Sequence, residues 1–175
     1  MGGGWCRRTG VGSVRCGEGA GRGAIGFATA QHLAARGEQL ILCGRNSVKG
    51  AEAANSITDA GGKAEFIQVD ISQNADAEAL VKLIVNKYGR LDKAFNNAGL
   101  TAPVAPLADS DPDAWRRVID VNLSGTYYAM RAQIRAMRET GGGAIVNNSS
   151  LAGVTASYVT GAVFPIDEGT SAGKF

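Results

Sequence analysis

The segment LDKAFNNAGLTA, residues 91–102, decides how this chain folds. Its first part, Leu91–Phe95, has the length and apolar character of a buried strand, and it breaks abruptly into the run NNAG at residues 96–99. Two amide side chains followed by two very small residues form a polar, uncrowded shelf, which we call the ledge (residues 96–99). Ligands of open α/β sheets bind outside the carboxyl ends of the strands, so the sequence predicts a ligand site at the ledge.

On both sides of this segment, apolar runs of strand length alternate with amphipathic runs of helix length. This alternation predicts an α/β fold with a doubly wound parallel sheet in one domain. Asp111 and Pro112 predict the start of the longest helix, as N-cap and first helical residue, and a break is expected near Asn122. The predicted helices are Ile25–Arg36, Ser47–Ala60 with Ser47 as N-cap, Asn74–Tyr88 and Asp111–Arg138, and the predicted strands are Gln39–Cys43, Ala64–Val69, Leu91–Phe95 and Gly143–Asn148.

The composition is that of a folded domain, with 45% hydrophobic and 19% charged residues. The net charge of +2 gives no reason to expect a nucleic acid or a membrane as partner. The amino terminus lacks the apolar core of a secretory signal, and Cys6, Cys16 and Cys43 lack the spacing of a metal site. We therefore expect a cytoplasmic protein with reduced thiols and no bound metal.

The run NNAG after the fourth strand resembles the short-chain dehydrogenase/reductase family, a Rossmann-fold group that uses NAD or NADP. The resemblance implies hydride transfer between a nicotinamide and a secondary alcohol or ketone as small-molecule substrate. It also implies that Asn97, Ala98 and Gly99 lie beside the ribose on the nicotinamide side of the cofactor.

The family's phosphate loop, Thr-Gly-x-x-x-Gly-x-Gly, corresponds imperfectly to residues 19–26, GAGRGAIG. Glycines let the backbone approach the pyrophosphate, and the helix that follows supplies N–H donors. The alternative for this glycine run is a flexible tail. The residues matched to the loop are Gly19, Gly23, Ile25 and Gly26.

The segment before this loop is a poor first strand. Residues 14–18, VRCGE, occupy the place of an apolar core strand, and burying Arg15 or Glu18 unpaired would be costly. We expect a sheet that is incomplete at its first strand, a poorly ordered glycine-rich segment over residues 1–18, and a single nucleotide-binding domain over residues 19–175.

The residues after the second and third strands bear on the choice of cofactor. Family members that prefer NAD have an acidic residue at the end of the second strand, whereas this chain has Gly44 followed by Arg45. A guanidinium suits a 2′-phosphate, so NADP is favoured over NAD, although an arginine at a strand end can also be merely exposed. Asp70 and Ile71 match residues that border the adenine, and a turn or capping role for Asp70 fits the local sequence equally well.

The family's catalytic tetrad is only partly present. Asn122 and Ser150 match the asparagine and the serine, but no Tyr-x-x-x-Lys follows at the expected distance. The one tyrosine after Ser150 is Tyr158, with Ala162 where the lysine should be, and Lys174 is the only later lysine. The chain thus resembles a family member in which the block between the fifth and last strands is missing.

Such a gap would uncover apolar surface on the fifth strand and the long helix, so we expect a homo-oligomer or low stability. Three functions stay open on the sequence alone. The chain could be a short-chain dehydrogenase/reductase, a non-catalytic nucleotide-binding protein without the tyrosine–lysine proton donor, or a product without stable function.

Overall fold

The computed structural model describes residues 9–13, 25–103 and 105–149. It contains one parallel five-stranded sheet whose strand order is β3-β2-β1-β4-β5. The strands are β1 (Thr9–Ser13), β2 (Gln39–Gly44), β3 (Lys63–Gln68), β4 (Lys93–Asn96) and β5 (Ala144–Asn147). The predicted α/β class with a parallel sheet is confirmed.

Helices connect the strands and cover both faces of the sheet. They are α1 (Ile25–Ala34), α2 (Ser47–Asp59), α3 (Asn74–Tyr88), α4 (Pro112–Ile119) and α5 (Gly125–Glu139). A π-helical turn, Asp120–Ser124, joins α4 to α5, so the helix does not break near Asn122 as predicted but widens there and continues. A short 3-10 turn, Leu107–Asp109, precedes α4.

The first strand differs from the sequence prediction. The structure forms β1 from Thr9–Ser13, not from residues 14–18, and pairs it with both β2 and β4 in the middle of the sheet. Residues 9–13 of the 1–18 segment therefore belong to the sheet, and poor order in the rest of that segment stays a prediction. The segment TGVGS was not predicted as a strand because two of its five residues are glycine, which is depleted in strands.

One predicted helix cap is also corrected, whereas another is confirmed. The N-cap of α2 is Asn46, whose side chain accepts a hydrogen bond from the Lys49 N–H at 2.9 Å, and Ser47 is the first helical residue. Asp111 caps α4 as predicted, with Pro112 at the first position, and accepts hydrogen bonds from the N–H groups of Asp113 and Ala114. These bonds hold the pKa of the Asp111 carboxyl below its usual range.

Two apolar clusters fill the two sides of the sheet. One lies under α3 and α5 and includes Ile41 and Ile84, which are fully buried. The other lies under α1 and α2 and includes Leu40 and Leu42. Successive residues of β2 thus enter opposite clusters, which is the burial that a central parallel strand requires.

Apolar side chains are exposed where the sequence led us to expect uncovered surface. Val146 of β5 is 54% exposed, and Tyr127 on α5 is 60% exposed. Leu123 in the π turn and Ile134 on α5 are exposed as well. None of the helices in the described part of the chain combines the length and the apolar character needed to cross a membrane.

Helix α2 packs on β3 through a glycine. A Cβ atom added to Gly50 would lie 2.1 Å from Cε2 of the Phe66 ring, which is far inside contact distance. Gly50→Ala normally stabilises a helix by about 1 kcal/mol, but here we expect it to lower the free energy of unfolding by roughly 1–3 kcal/mol because the ring must move.

Urea unfolding followed by circular dichroism measures this effect. Phe66→Leu provides the control background, because the smaller side chain makes room for a Cβ at position 50. We expect Gly50→Ala to lower the free energy of unfolding less in Phe66→Leu than in the parent. A more stable Gly50→Ala protein would contradict the observed packing.

Candidate active site

The strand order reverses direction at β1, and this creates the crevice in which the candidate site lies. The chain runs from β1 through β2 to the edge strand β3 and then crosses to β4 on the other side of β1. Since all the strands are parallel, their carboxyl ends share one edge of the sheet. The crevice beside such a switch point is where open α/β sheets bind their ligands.

The Asn122 side chain binds the backbone of the residue just beyond the ledge through two hydrogen bonds. Its Oδ1 accepts a hydrogen bond from the Leu100 N–H at 2.8 Å, and its Nδ2 donates to the Leu100 carbonyl at 2.9 Å. Gly99 packs beside this pair, because an added Cβ would lie 3.4 Å from Asn122 Oδ1. The structure thus places Asn122 next to the ledge, although 22 residues separate it from Leu100 in sequence.

Two Asn-Asn dipeptides lie side by side at the ends of β4 and β5. The strand register pairs Asn96 with Asn147, and Asn96 Nδ2 donates to Asn147 Oδ1 at 2.8 Å. One residue further on, Asn148 Nδ2 donates to Asn97 Oδ1 at 2.7 Å. The ledge therefore adjoins the end of β5, and paired amides join the two strand ends.

Asp70 forms the turn that follows β3. Its Oδ1 accepts hydrogen bonds from the N–H and the hydroxyl of Ser72, at 3.0 and 2.8 Å. The turn role considered for Asp70 is thus observed, and contact with an adenine stays a prediction. The next residue, Ile71, lies against the start of α5, where a Cβ on Gly125 would be 2.9 Å from the Ile71 carbonyl oxygen.

Arg45 comes directly after β2, and its side chain is exposed. The Gln68 side chain donates to the Arg45 carbonyl at 3.0 Å, which ties the end of β2 to the end of β3. β2 and β4 flank β1 on its two sides. The backbone of Arg45 is therefore two strand spacings, roughly 10 Å, from the ledge across the sheet.

The predicted phosphate loop and serine lie largely outside the described residues. Ile25 and Gly26 open α1, with Ile25 61% exposed and Gly26 buried. Gly19, Gly23 and Ser150 fall outside the part of the chain that the structure describes, as do Tyr158 and Lys174.

Cys43 and His32 are two further residues whose side chains can react. Cys43 is buried in the sheet, and burial raises the pKa of its thiol to about 12, so the reactive thiolate is scarce at neutral pH. His32 is exposed on α1, away from every strand end. Among the described residues, no group of three or more histidine, cysteine, aspartate or glutamate side chains could hold a metal ion.

The sheet order and the crevice define a Rossmann-type α/β domain. A family model described as short chain dehydrogenase matches residues 18–163. The chain therefore belongs to the short-chain dehydrogenase/reductase family, as its resemblance implied.

Among curated proteins, the chain is similar to a 3beta-hydroxysteroid dehydrogenase of Mediterraneibacter gnavus. They are 40% identical over 130 residues, which is 74% of this chain and 47% of the relative. A cyclohexanol dehydrogenase of Acinetobacter sp. is 38% identical over 136 residues, which is 78% of this chain and 54% of the relative. The chain thus spans about half the length of these relatives.

Solved structures show the same likeness. A xylitol dehydrogenase with bound NAD⁺ superposes with a TM-score of 0.76 at 32% identity, over 84% of this chain and 54% of that one. A metagenomic short-chain oxidoreductase in complex with NADP gives 0.74 at 35% identity, over 83% of this chain and 62% of that one.

The sequence analysis did not identify the residues at the end of β5 that bind the ledge. Asn147 and Asn148 were assigned no role, although the repeated pattern of an apolar residue followed by Asn-Asn was visible at residues 95–97 and 146–148. Gln133 of α5, which also bonds to Asn96, had no such signal because a helical glutamine is usually exposed.

The paired bonds of Asn122 yield a test. Asn122→Leu removes both contacts to Leu100, so we expect the Leu100 N–H to exchange with deuterium roughly 2- to 10-fold faster, the equivalent of one lost hydrogen bond. Leu123→Ala, at the exposed neighbouring position of the π turn, is the control, since it leaves both contacts of Asn122 with Leu100 in place. Equal Leu100 exchange in Asn122→Leu and the parent would show that the contact contributes nothing to the order of this segment.

Proposed function

We propose that this chain binds a nicotinamide dinucleotide at the crevice and belongs to an enzyme that transfers hydride between the nicotinamide and a secondary alcohol or ketone. The observation that carries the proposal is the pair of hydrogen bonds by which Asn122 holds Leu100, at the end of the ledge. This arrangement brings a matched tetrad residue to the carboxyl edge of the sheet, at the switch point.

The described residues suit such a cofactor. Ala98 and Gly99 present almost no side chain at the ledge, so a ribose can approach the backbone closely. The amides of Asn97 and Asn148 offer uncharged hydrogen-bonding groups there. In the proposal, residues 97–99 hold the nicotinamide side, Asp70 and Ile71 border the adenine, and Gly19, Gly23, Ile25 and Gly26 hold the pyrophosphate.

When bound, the cofactor would supply or accept the hydride, and the protein would position the reactants. Asn122 uses both polar atoms of its side chain on Leu100, and its carbonyl accepts from the Thr126 hydroxyl at 2.8 Å. Its proposed contribution is therefore to hold the ledge and support a proton path, not to exchange a proton itself. Ser150 would orient the substrate oxygen.

NADP is proposed as the preferred cofactor, over NAD. Gly44 leaves no acidic group at the end of β2, and the exposed Arg45 guanidinium can pair with a 2′-phosphate. The start of α2, capped by Asn46, lies directly after Arg45 and adds the positive end of a helix dipole.

Arg45→Asp tests this preference. We expect the parent to bind NADPH more tightly than NADH. In the variant the ratio of these two affinities should fall by roughly tenfold, because one charge-assisted contact is lost and a repulsion is added. Fluorescence titration with both nucleotides measures this difference, and Lys82→Asp, at an exposed position of α3, is the control for net charge. Equal affinities in the parent that the substitution leaves unchanged would rule Arg45 out as the determinant.

A second candidate function is a nucleotide-binding protein without catalysis. The observation that favours it is the sequence after Ser150, where Ala162 stands four residues beyond Tyr158 in place of a lysine. The exposed apolar side chains Tyr127, Leu123 and Ile134 support the further proposal of a homo-oligomer. A cytoplasmic location is proposed from the cysteine pattern alone.

Turnover separates the two functions. General acid–base catalysis typically contributes about 10²–10⁴-fold, so we expect this chain to bind NADPH but to oxidise it very slowly with any ketone of a panel. The assay follows NADPH absorbance, with Tyr158→Phe and Ser150→Ala as controls. Rapid turnover that both substitutions abolish would show that the chain assembles a working proton donor and would exclude the non-catalytic function.

A further inference from the structure

Gln133 is a polar side chain in the apolar cluster under α3 and α5. Only 6% of its surface is exposed, although it lies on a helix whose other face meets solvent. It forms two reciprocal hydrogen bonds with Asn96, since Gln133 Nε2 donates to Asn96 Oδ1 at 2.9 Å and Asn96 Nδ2 donates to Gln133 Oε1 at 3.1 Å. The two amides thus close a ring between α5 and the last residue of β4.

This ring continues along the end of the sheet. Asn96 Nδ2 also donates to Asn147 Oδ1 on β5, and Asn147 Nδ2 contacts the Met130 sulfur at 3.3 Å, one turn before Gln133 on α5. Helix and strands are therefore joined in a closed circuit of side chains. Loss of one member would leave partly buried polar groups of the others without these partners, which costs free energy beyond the lost bond itself.

Gln133 and Asn96 also border a small cavity. Its volume is about 20 Å³, and Cys43, Leu80 and Ala129 are among its other walls. Because this volume is close to that of one water molecule, the two amides adjoin space that the neighbouring side chains do not fill.

The two contacts of this helix with the ledge segment lie at opposite ends of it. Gln133 binds Asn96, at the start of the ledge, and Asn122 binds Leu100, immediately after its end. The helical rod that carries both is continuous through the π turn. Residues 97–99 therefore lie between two contacts with one continuous helical element, and Asn97 is bound by Asn148 as well.

We infer that Gln133 is a positioning residue, which fixes the start of the ledge as Asn122 fixes its end. It acts through Asn96 and is too buried to touch a ligand in the crevice. Its effect on cofactor affinity rests on the proposed function, whereas its effect on the order of the ledge does not.

Gln133→Met tests the inference at nearly constant volume, because it removes both hydrogen bonds and keeps an unbranched side chain. We expect deuterium exchange at the backbone N–H groups of residues 97–99 to rise about tenfold, with shifts of their ¹⁵N–¹H resonances. Met137→Ala, one turn further on the same buried face, is the control for a general loss of core packing. Equal acceleration at the ledge in both variants would overturn the inference.

Gln133→Glu adds a second readout, the pH dependence of exchange at the ledge, which a change in packing would not produce. It also keeps the inference testable if Gln133→Met does not fold. A protonated carboxyl can donate to Asn96 Oδ1 and accept from Asn96 Nδ2, as the amide does, whereas the carboxylate cannot donate. Burial raises the pKa of such a carboxyl. We expect ledge exchange, measured relative to the parent at each pH, to be near the parent's value at about pH 5 and to rise towards about pH 8. A ratio that stays at one across this range would overturn the inference.

NADPH titration of the same variants separates this inference from the proposed function. If the role of Gln133 and the proposed function are both correct, Gln133→Met lowers the affinity for NADPH about tenfold and Met137→Ala changes this affinity little. If the parent binds no nicotinamide dinucleotide, the proposed function fails, and the exchange measurements on the free protein still decide the role of Gln133.

Discussion

The pairing of β1 with both β2 and β4 is the constraint on which the rest of the structure depends. It forces the chain to cross from the β3 edge to the opposite side of β1, so that the connections on the two sides of β1 lead away from each other. The crevice and the nearness of the strand ends both follow from this reversal. The strand Thr9–Ser13 is therefore central to the sheet, because without it β2 and β4 would have no common neighbour.

Helix α5, with the π turn before it, converts this sheet edge into a defined site. It contacts the loop after β3 through Gly125, the end of β4 through Gln133 and the segment beyond the ledge through Asn122. Gly125 is needed for the first contact, since a Cβ there would meet the Ile71 carbonyl oxygen at 2.9 Å. The π turn presents the Asn122 side chain to the loop without ending the helix, a common use of such turns near functional sites.

The sequence predicted elements well where local signals agree and poorly where the determining contact is distant. Helix α3 matches its prediction at both ends because its apolar stripe is regular and Gly89, with a φ of 76°, ends it in the left-handed region. Strand β1 was misplaced because its glycines give no apolar pattern, and its pairing partners lie 30 or more residues away. Asn122, which the structure brings next to the ledge, was singled out through the family motif. Gln133 was not, because only the tertiary structure shows that this glutamine faces inward.

The chemistry of the ledge has a consequence for how the site responds to pH. Its lining and supports are amides and small residues, namely Asn96, Asn97, Ala98, Gly99, Asn122, Gln133, Asn147 and Asn148. None of these side chains titrates in the physiological range, so the geometry of the ledge is expected to stay constant while groups elsewhere gain or lose protons. Any acid–base step must then use residues outside the ledge. The ledge can therefore serve a catalytic enzyme and a non-catalytic binding protein equally well, and the difference between them depends on the proton donor alone.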